Sequence, residues 1–443
     1  MRGKRVVLSD GVRPASVHIE AGRIVGIETY DAPSARAIDI DAGSLVVFPG
    51  LVDTHVHIND PGRADWEGFE HATRAAAAGG VTTVVDMPLN SIPATTTVEA
   101  FDAKLAASAG RCHVDVGFWG GVVPGNARAL EPLTRMGVLG FKCFLAPSGV
   151  DEFSHVSESD LREAMPILAG LQVPLLAHAE LPAKLVEPVG EATDYATWLN
   201  SRPPESECAA IELLIALADK SGAHVHVVHL AAANGLRILT AARTAGLPVT
   251  VETCPHYLTF AAEDIARGAT AFKCAPPIRT KDHRERLWQA LGSSEIDLIA
   301  TDHSPAPTEL KRLADGDFLG AWGGIASLEL GLRAVWTGAS ARGYGLHDVA
   351  RWMAEAPARL AGLNRTKGSI AVGRDADLVV WDPDAEDVVD PFGLHHRHPV
   401  TPYAGMRLRG KIRKTLLRGD VVFEKGRFVP GKGRLILGRS AGC

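Results

Sequence analysis

Residues 49–62 read PGLVDTHVHINDPG, an apolar run that closes on His55 and His57, two positions apart. Alternate side chains of a strand leave the same face, so these imidazoles point together from the strand end and can grip one metal ion. The same spacing also suits two ordinary polar residues where a strand meets solvent. What surrounds the motif has to decide between the two readings.

Working outward, compact apolar strands alternate with Ala- and Leu-rich helical segments from residue 49 to 366. Eight strand candidates stand out: VVFPGLVDTHVH, VTTVVDMP, VDVGFWGGV, VLGFKCFL, VPLLAHAE, HVHVVHLA, VTVETCPHYL and IDLIATDHS. Helical candidates between them include 66–78, 98–107, 158–169 and 207–220. Eight such units predict a closed (β/α)8 TIM barrel, an α/β fold whose chemistry sits at the C-terminal ends of the strands. The polar residues obey that rule. His55 and His57 close the first strand, Lys142 lies in the fourth, and His178, His229 and Asp302 close the fifth, sixth and eighth.

Short β-rich runs with Gly turns occupy both ends of the chain, as in KRVVLSDGVRPASVHIEAGRIVGI and GKIRKTLLRGDVVFEKGRFV. They predict a small β-sandwich domain built from residues 1–48 and 367–443 around a barrel of residues 49–366. With 443 residues the chain has room for both. A net charge of -6 and the absence of long basic runs give no reason to expect a nucleic acid or an anionic membrane as partner, so a small-molecule substrate is expected. No run of about 18 apolar residues and no signal-peptide core is present, which predicts a cytoplasmic protein. The cysteines, Cys112, Cys143, Cys208, Cys254, Cys274 and Cys443, lack a CxxC spacing and read as reduced, mostly buried thiols.

Four imidazoles and a carboxylate suit zinc-like divalent ions, and a close metal pair also needs a bridging anion. Lys142 offers one. An ammonium aimed at cations is repelled, so a lysine there must be neutral, and a neutral amine adds carbon dioxide to become a two-oxygen carbamate. Taken without the histidines, Lys142 reads as a surface or ion-paired lysine.

This combination resembles the amidohydrolase superfamily, specifically its cyclic amidohydrolases: dihydroorotases, hydantoinases and dihydropyrimidinases, and allantoinases. The resemblance runs over nearly the whole chain. It implies that His55, His57 and Asp302 bind one metal, that His178 and His229 bind the other, and that Lys142, as N6-carboxylysine, bridges them. It implies two divalent ions per subunit, zinc by default with cobalt, manganese or nickel tolerated, and a homotetramer. Asp302 is then placed to take the proton of the attacking hydroxide and hand it to the departing amide nitrogen.

Residues outside the ligand set bear on the substrate. Dihydroorotases usually continue the first motif as HxHxR, where the arginine pairs with a substrate carboxylate; Asn59 holds that place here. Hydantoinases typically carry a tyrosine five residues after the bridging lysine, and here Pro147 stands there. The runs INDPGR, DMPLNSIPAT, GFKCFLAPSG, ETCPHYL, KCAPPIR, TDHSP and AWGGIASLE instead resemble the allantoinase branch, which implies opening of the hydantoin ring of allantoin to allantoate in ureide breakdown. An uncharged ring rich in amide groups calls for neutral contacts, and Asn59, Ala275, Ser304, Gly323 and Gly324 are the candidates. A hydantoinase is the alternative, and a metal-free scaffold of the same fold is a further one. Among the other histidines, His226 is out of phase with His229 and reads with His224 as packing or support. His303 should face away from Asp302, and His256 is a candidate substrate contact. His395, His396 and His398 read as surface or oligomer contacts.

Overall fold

The computed structural model describes residues 1–32, 39–429 and 431–438. The two ends of the chain meet in one eight-stranded sheet. It consists of β1 (Arg2–Leu8), β2 (Gly11–Glu20), β3 (Arg23–Glu28) and β4 (Val46–Pro49) from the front, and β14 (Leu378–Val388), β15 (Arg407–Leu417), β16 (Asp420–Glu424) and β17 (Arg427–Phe428) from the back, in the order β17-β16-β15-β14-β4-β1-β2-β3. The front and back halves join where β4 pairs antiparallel with β14 and parallel with β1. Period-two alternation gives the sheet two apolar faces. Val47, Leu378, Val380 and Leu416 share a core with Val6, Ala15, Val17 and Ile24. Val46, Phe48, Val379, Trp381 and Leu417 turn the other way, into the large core of the barrel.

Barrel strands β5 (Leu51–Val56), β6 (Val81–Asp86) and β7 (Asp115–Phe118) pair in parallel. So do β8 (Gly120–Gly121), β9 (Phe141–Phe144), β10 (Leu175–His178), β11 (Val225–Val227), β12 (Val249–Thr253) and β13 (Leu298–Ile299). β7 and β8 are one sequence strand interrupted at Trp119, so the eight predicted strands are all present. The circle closes where His57 N–H donates to the His303 carbonyl at 2.8 Å, past the end of β13. Nearly every residue of these strands is buried, as a barrel filled inside and covered by helices requires.

The terminal unit and the barrel are clasped by charge. The Lys367 ammonium meets Asp115 of β7 at 2.6 Å and Asp377 and Asp375 at 2.7 and 3.0 Å, and Arg418 reaches Asp115 at 2.5 Å. Two segments beyond residue 366 lie on the barrel itself. Residues 434–436 run beside β7, with Val116 N–H donating to Arg434 O and Ile436 N–H to Val116 O. The segment holding His395, His396 and His398 also packs on barrel residues, which corrects the surface expectation for His396, while His395 and His398 stay partly exposed. His396 is buried 5.9 Å from the His303 ring, His395 Nδ1 lies 3.1 Å from Glu329, and His398 Nε2 lies 2.7 Å from Asp65 O. Cys112, Cys143, Cys254 and Cys274 are buried free thiols and Cys208 is half-buried, while Cys443 lies outside the described residues.

Candidate metal centre and substrate cavity

The strand ends open into a cavity of about 630 Å³ with His55, His57, His178, His229 and Asp302 in its lining. His55 leaves β5 and His57 follows its end, and both Nε2 atoms approach Asp302 Oδ1, at 3.2 and 3.4 Å. One ligand atom from each of these three residues lies within 4.8 Å of the others. On the other side, His178 Nδ1 and His229 Nε2 face each other at 3.1 Å, and the ring centroids of His55 and His229 are 5.4 Å apart. His229 and Asp302 take positive φ, 42° and 47°, a sparsely populated conformation for non-glycine residues that swings both side chains off the strand direction into the mouth.

Lys142 sits in β9, fully buried, and its Nζ has no hydrogen-bond partner among the described residues. Burial lowers its pKa to about 8. Two imidazole nitrogens 3.1 Å apart, three more ligand atoms beside them and an orphaned buried amine are the donor set that divalent cations would satisfy. Burial also brings His57 down to about 4. At His55 burial pulls the same way, but the Asp302 and Glu252 carboxylates outweigh it and hold the ring up at about 9.

Two carboxylates outside the predicted set orient the histidines. Glu252, on β12 and fully buried, accepts from His55 Nδ1 at 2.5 Å and His226 Nε2 at 3.0 Å, and from the His229 N–H at 3.3 Å. Glu180 accepts from His178 Nε2 at 2.7 Å and is gripped by the Arg202 guanidinium at 2.6 and 3.0 Å. Imidazoles held this way present a fixed lone pair on the opposite nitrogen. His226 thus supports the site through Glu252, as its phase predicts. His303 also behaves as expected, its Nδ1 accepting from the Ser327 and Leu328 amides away from the mouth.

The predicted substrate contacts divide. Ala275, Ser304, Gly323 and Gly324 line the cavity, and Ser304 Oγ donates to Asp302 Oδ1 at 3.0 Å, not to a helix end. Asn59 does not line it. With φ 65° the residue is fully buried and its Nδ2 donates to Pro305 O at 3.3 Å, so it braces the wall from behind. His256 is likewise fully buried against Tyr257, off the cavity. Sequence reading missed Asn90, whose Nδ2 lies 3.4 Å from His57 Nδ1, and the lining residues Trp198, Lys273, Trp322 and Arg202.

A barrel that gathers four imidazoles, a carboxylate and a desolvated lysine at its strand ends defines a metal-dependent hydrolase scaffold. The Amidohydrolase family matches residues 46–422, and the chain belongs to that family. It is 49% identical to the allantoinase of Streptomyces avermitilis over 98% of both chains. It is 45% identical to that of Arabidopsis thaliana, over 96% of this chain and 88% of the other, and 47% identical to that of Saccharomyces cerevisiae, over 96% and 95%. Among solved structures it superposes on the L-hydantoinase (dihydropyrimidinase) of Arthrobacter aurescens with a TM-score of 0.93 at 33% identity, over 98% of this chain and 99% of that one. A D-hydantoinase matches with a TM-score of 0.90 at 28% identity, over 100% and 99%.

Proposed function

We propose that the protein hydrolyses the hydantoin-ring amide of allantoin to give allantoate. One observation carries the choice of an uncharged ring: every cationic side chain lining the cavity, apart from the histidines of the metal centre, is already held within the protein. Arg202 is engaged by Glu180, Arg312 by Asp315 and Asp317, and Lys273 by the carbonyls of Leu319 and Ala321. A substrate carboxylate, as in dihydroorotate, finds no free partner there. The polar groups left over are backbone amides. At Ala275 the preceding carbonyl accepts from Trp198 Nε1 at 3.0 Å, which turns the Ala275 N–H the opposite way. The Gly323 peptide is similarly unspent, and together these groups match a ring edged with N–H and C=O.

The donor set fits two divalent ions, with His55, His57 and Asp302 for one, His178 and His229 for the other, and Lys142 as a carbamate formed with carbon dioxide between them. When bound, such ions supply Lewis acidity, lowering the pKa of water toward neutrality and polarising a carbonyl. The protein's own work is orientation and proton handling. Glu252 and Glu180 hold the His55 and His178 rings, and the backbone groups of Ala275 and Gly323 seat the ring. Ser304 Oγ donates to Asp302 Oδ1 and steadies the carboxylate, which is placed to receive a proton from the attacking water and pass it to the departing ring nitrogen. No helix among the described residues is long and apolar enough to cross a membrane. Zinc as the native ion, a homotetramer and a cytoplasmic location complete the proposal, the first two testable by metal analysis and light scattering.

The deciding assay is turnover of metal-loaded protein on allantoin, hydantoin, dihydrouracil and dihydroorotate side by side. Allantoin should be preferred. Preference for hydantoin or dihydrouracil would move the protein to the hydantoinase reading.

A further inference from the structure

The loop after β13 contains an arrangement that the chemistry above does not use. Lys311 is 3% exposed, and its ammonium meets no carboxylate among the described residues. It donates instead to three backbone carbonyls, Gly324 O at 2.7 Å, Trp322 O at 3.0 Å and Lys273 O at 3.4 Å. Lys273, 5% exposed, donates to Ala321 O at 2.5 Å and Leu319 O at 3.0 Å and lies 4.3 Å from the centre of the Trp198 ring. Two desolvated ammonium groups are costly unless their donors are met. Here nearly all of those donors are met by the carbonyls of one segment, 319–324, all six of whose residues line the substrate cavity.

The consequence follows from peptide geometry. A trans peptide points its C=O and N–H in opposite directions. The N–H groups of Leu319 and Gly320 donate to Asp317 Oδ1, that of Ala321 to Asp317 O, that of Trp322 to Leu310 O and that of Gly324 to Lys273 O. Gly323 alone in the segment has no acceptor for its N–H among the described residues, and its carbonyl has no donor. Because Lys311 draws the Trp322 carbonyl toward itself, the Gly323 N–H is turned away from Lys311. Because the Gly324 N–H is spent on Lys273 O, the Gly323 carbonyl is turned away from that contact. One unspent donor and one unspent acceptor therefore sit on adjacent peptide planes of a residue that lines the cavity.

We infer that Lys311 and Lys273 are positioning residues that determine specificity: by taking the carbonyls of 319–324 they fix the Gly323 peptides as a rigid donor and acceptor for a cyclic amide edge. The inference rests on the ring-substrate reading above and goes beyond it by assigning the preorganisation to two lysines that need not touch the reacting atoms. A neutral side chain at Lys311 leaves the Trp322 and Gly324 carbonyls without donors, and the segment is then free to rotate the Gly323 N–H out of line.

The test uses the metal-loaded full chain with Lys311→Met and Lys273→Met beside the wild type. Hydrogen exchange by mass spectrometry follows the peptide covering 319–325, and kcat and KM are measured on whichever ring the wild type turns over best. Lys311→Met should keep its full metal content, speed exchange in 319–325 by about tenfold or more with the barrel-strand peptides unchanged, and lower kcat/KM by about 100-fold, the scale of a misplaced catalytic hydrogen-bond donor. Wild-type exchange in 319–325, or wild-type kcat/KM, overturns the inference, and so does a loss of activity accompanied by faster exchange throughout the barrel. If Lys311→Met does not fold, Lys273→Met carries the same expectations and the same refutations. A wild type that prefers another ring defeats the allantoin reading but leaves this comparison intact. A wild type that prefers allantoin, with an indifferent Lys311→Met, defeats the lysine inference alone.

Discussion

Replacing Glu252 by Gln removes one negative charge from a fully buried site while keeping its shape. The carboxylate accepts from His55 at 2.5 Å, from His226 at 3.0 Å and from the His229 amide at 3.3 Å. A glutamine offers one oxygen and one NH2, so one of the two imidazole contacts becomes N–H against N–H unless that ring changes tautomer. If His55 changes, its Nε2 carries the proton and loses the lone pair it presents beside Asp302. Removing such an outer hydrogen bond typically costs about 10- to 100-fold in metal affinity, or about 1.4–2.8 kcal/mol. The effect should not exceed that range, because Asp302 still lies 3.2 Å from His55 and continues to favour the ring's interaction with positive charge. Competition against a chromophoric chelator measures it directly, with the melting temperature of the metal-free protein as control for packing. His226→Gln, which keeps the carboxylate, should lose less than about tenfold. Unchanged metal affinity and unchanged kcat/KM in Glu252→Gln would refute the idea that this carboxylate fixes the His55 tautomer.

Lys142→Ala should lose activity and most metal, since the amine that can become a bridging anion is gone; metal analysis showing two tightly held ions with normal turnover would remove Lys142 from the centre. Asp302→Asn should fold and lose catalysis, and near-wild-type kcat would end its role as proton carrier. Gly324→Ala should cost activity and about 1–3 kcal/mol of stability, because φ is +151° and an added Cβ would stand 2.4 Å from Ser304 O, beside the Ser304 contact to Asp302; urea unfolding and kinetics read the two effects. The metal-free protein should be sensitive to acid through Glu180 and Glu252. Burial raises both pKa values, but Arg202 and His178 at Glu180, and His55 and His226 at Glu252, outweigh it and hold each at about 2, below the ordinary 4.5. Their stabilisation is therefore complete above about 4.5 and is lost as pH falls from there toward 2. Urea midpoints that do not fall faster in the wild type than in Glu180→Gln and Glu252→Gln across that window would contradict it.

What the sequence revealed, it revealed through local pattern. Apolar runs ending in polar residues placed His55, Lys142, His178, His229 and Asp302 at one barrel mouth, because strand period and barrel geometry leave few alternatives. Strand phase likewise separated His226 from His229. Glu252 was visible in ETCPHYL but had no assigned role, since its partner His55 lies 197 residues away and only barrel closure brings them together. Asn59 was misplaced for a different reason. Asparagine tolerates both signs of φ, and the left-handed turn that buries it behind Pro305 leaves no mark in the motif. His396 looked like surface because it stands among polar neighbours, yet the chain carries it under the barrel end beside His303. Lys273 and Lys311 had no assigned role, because the carbonyls that hold them belong to the backbone, which composition does not display.

The placement of Asn59 changes how substrate choice has to be argued. If an arginine at that position were the whole difference between binding a carboxylated ring and a neutral one, residue 59 would face the cavity, and it does not. The difference resides instead in how the cavity's charges are committed. Arg202, Arg312 and Lys273 all stand in the lining, and each is bound to protein acceptors that a ligand would have to displace. A free cation facing a neutral ring would be a buried charge left unpaired on binding, and a committed one is not. With the side-chain charges taken up, the proposed recognition falls to backbone groups at Ala275 and Gly323, which line the cavity beside the contacts of Trp198 on one wall and of Lys311 and Lys273 on the other. A neutral, amide-edged ring is the ligand that the proposed reading selects, because it offers partners to those groups without introducing a charge that the committed side chains would have to answer.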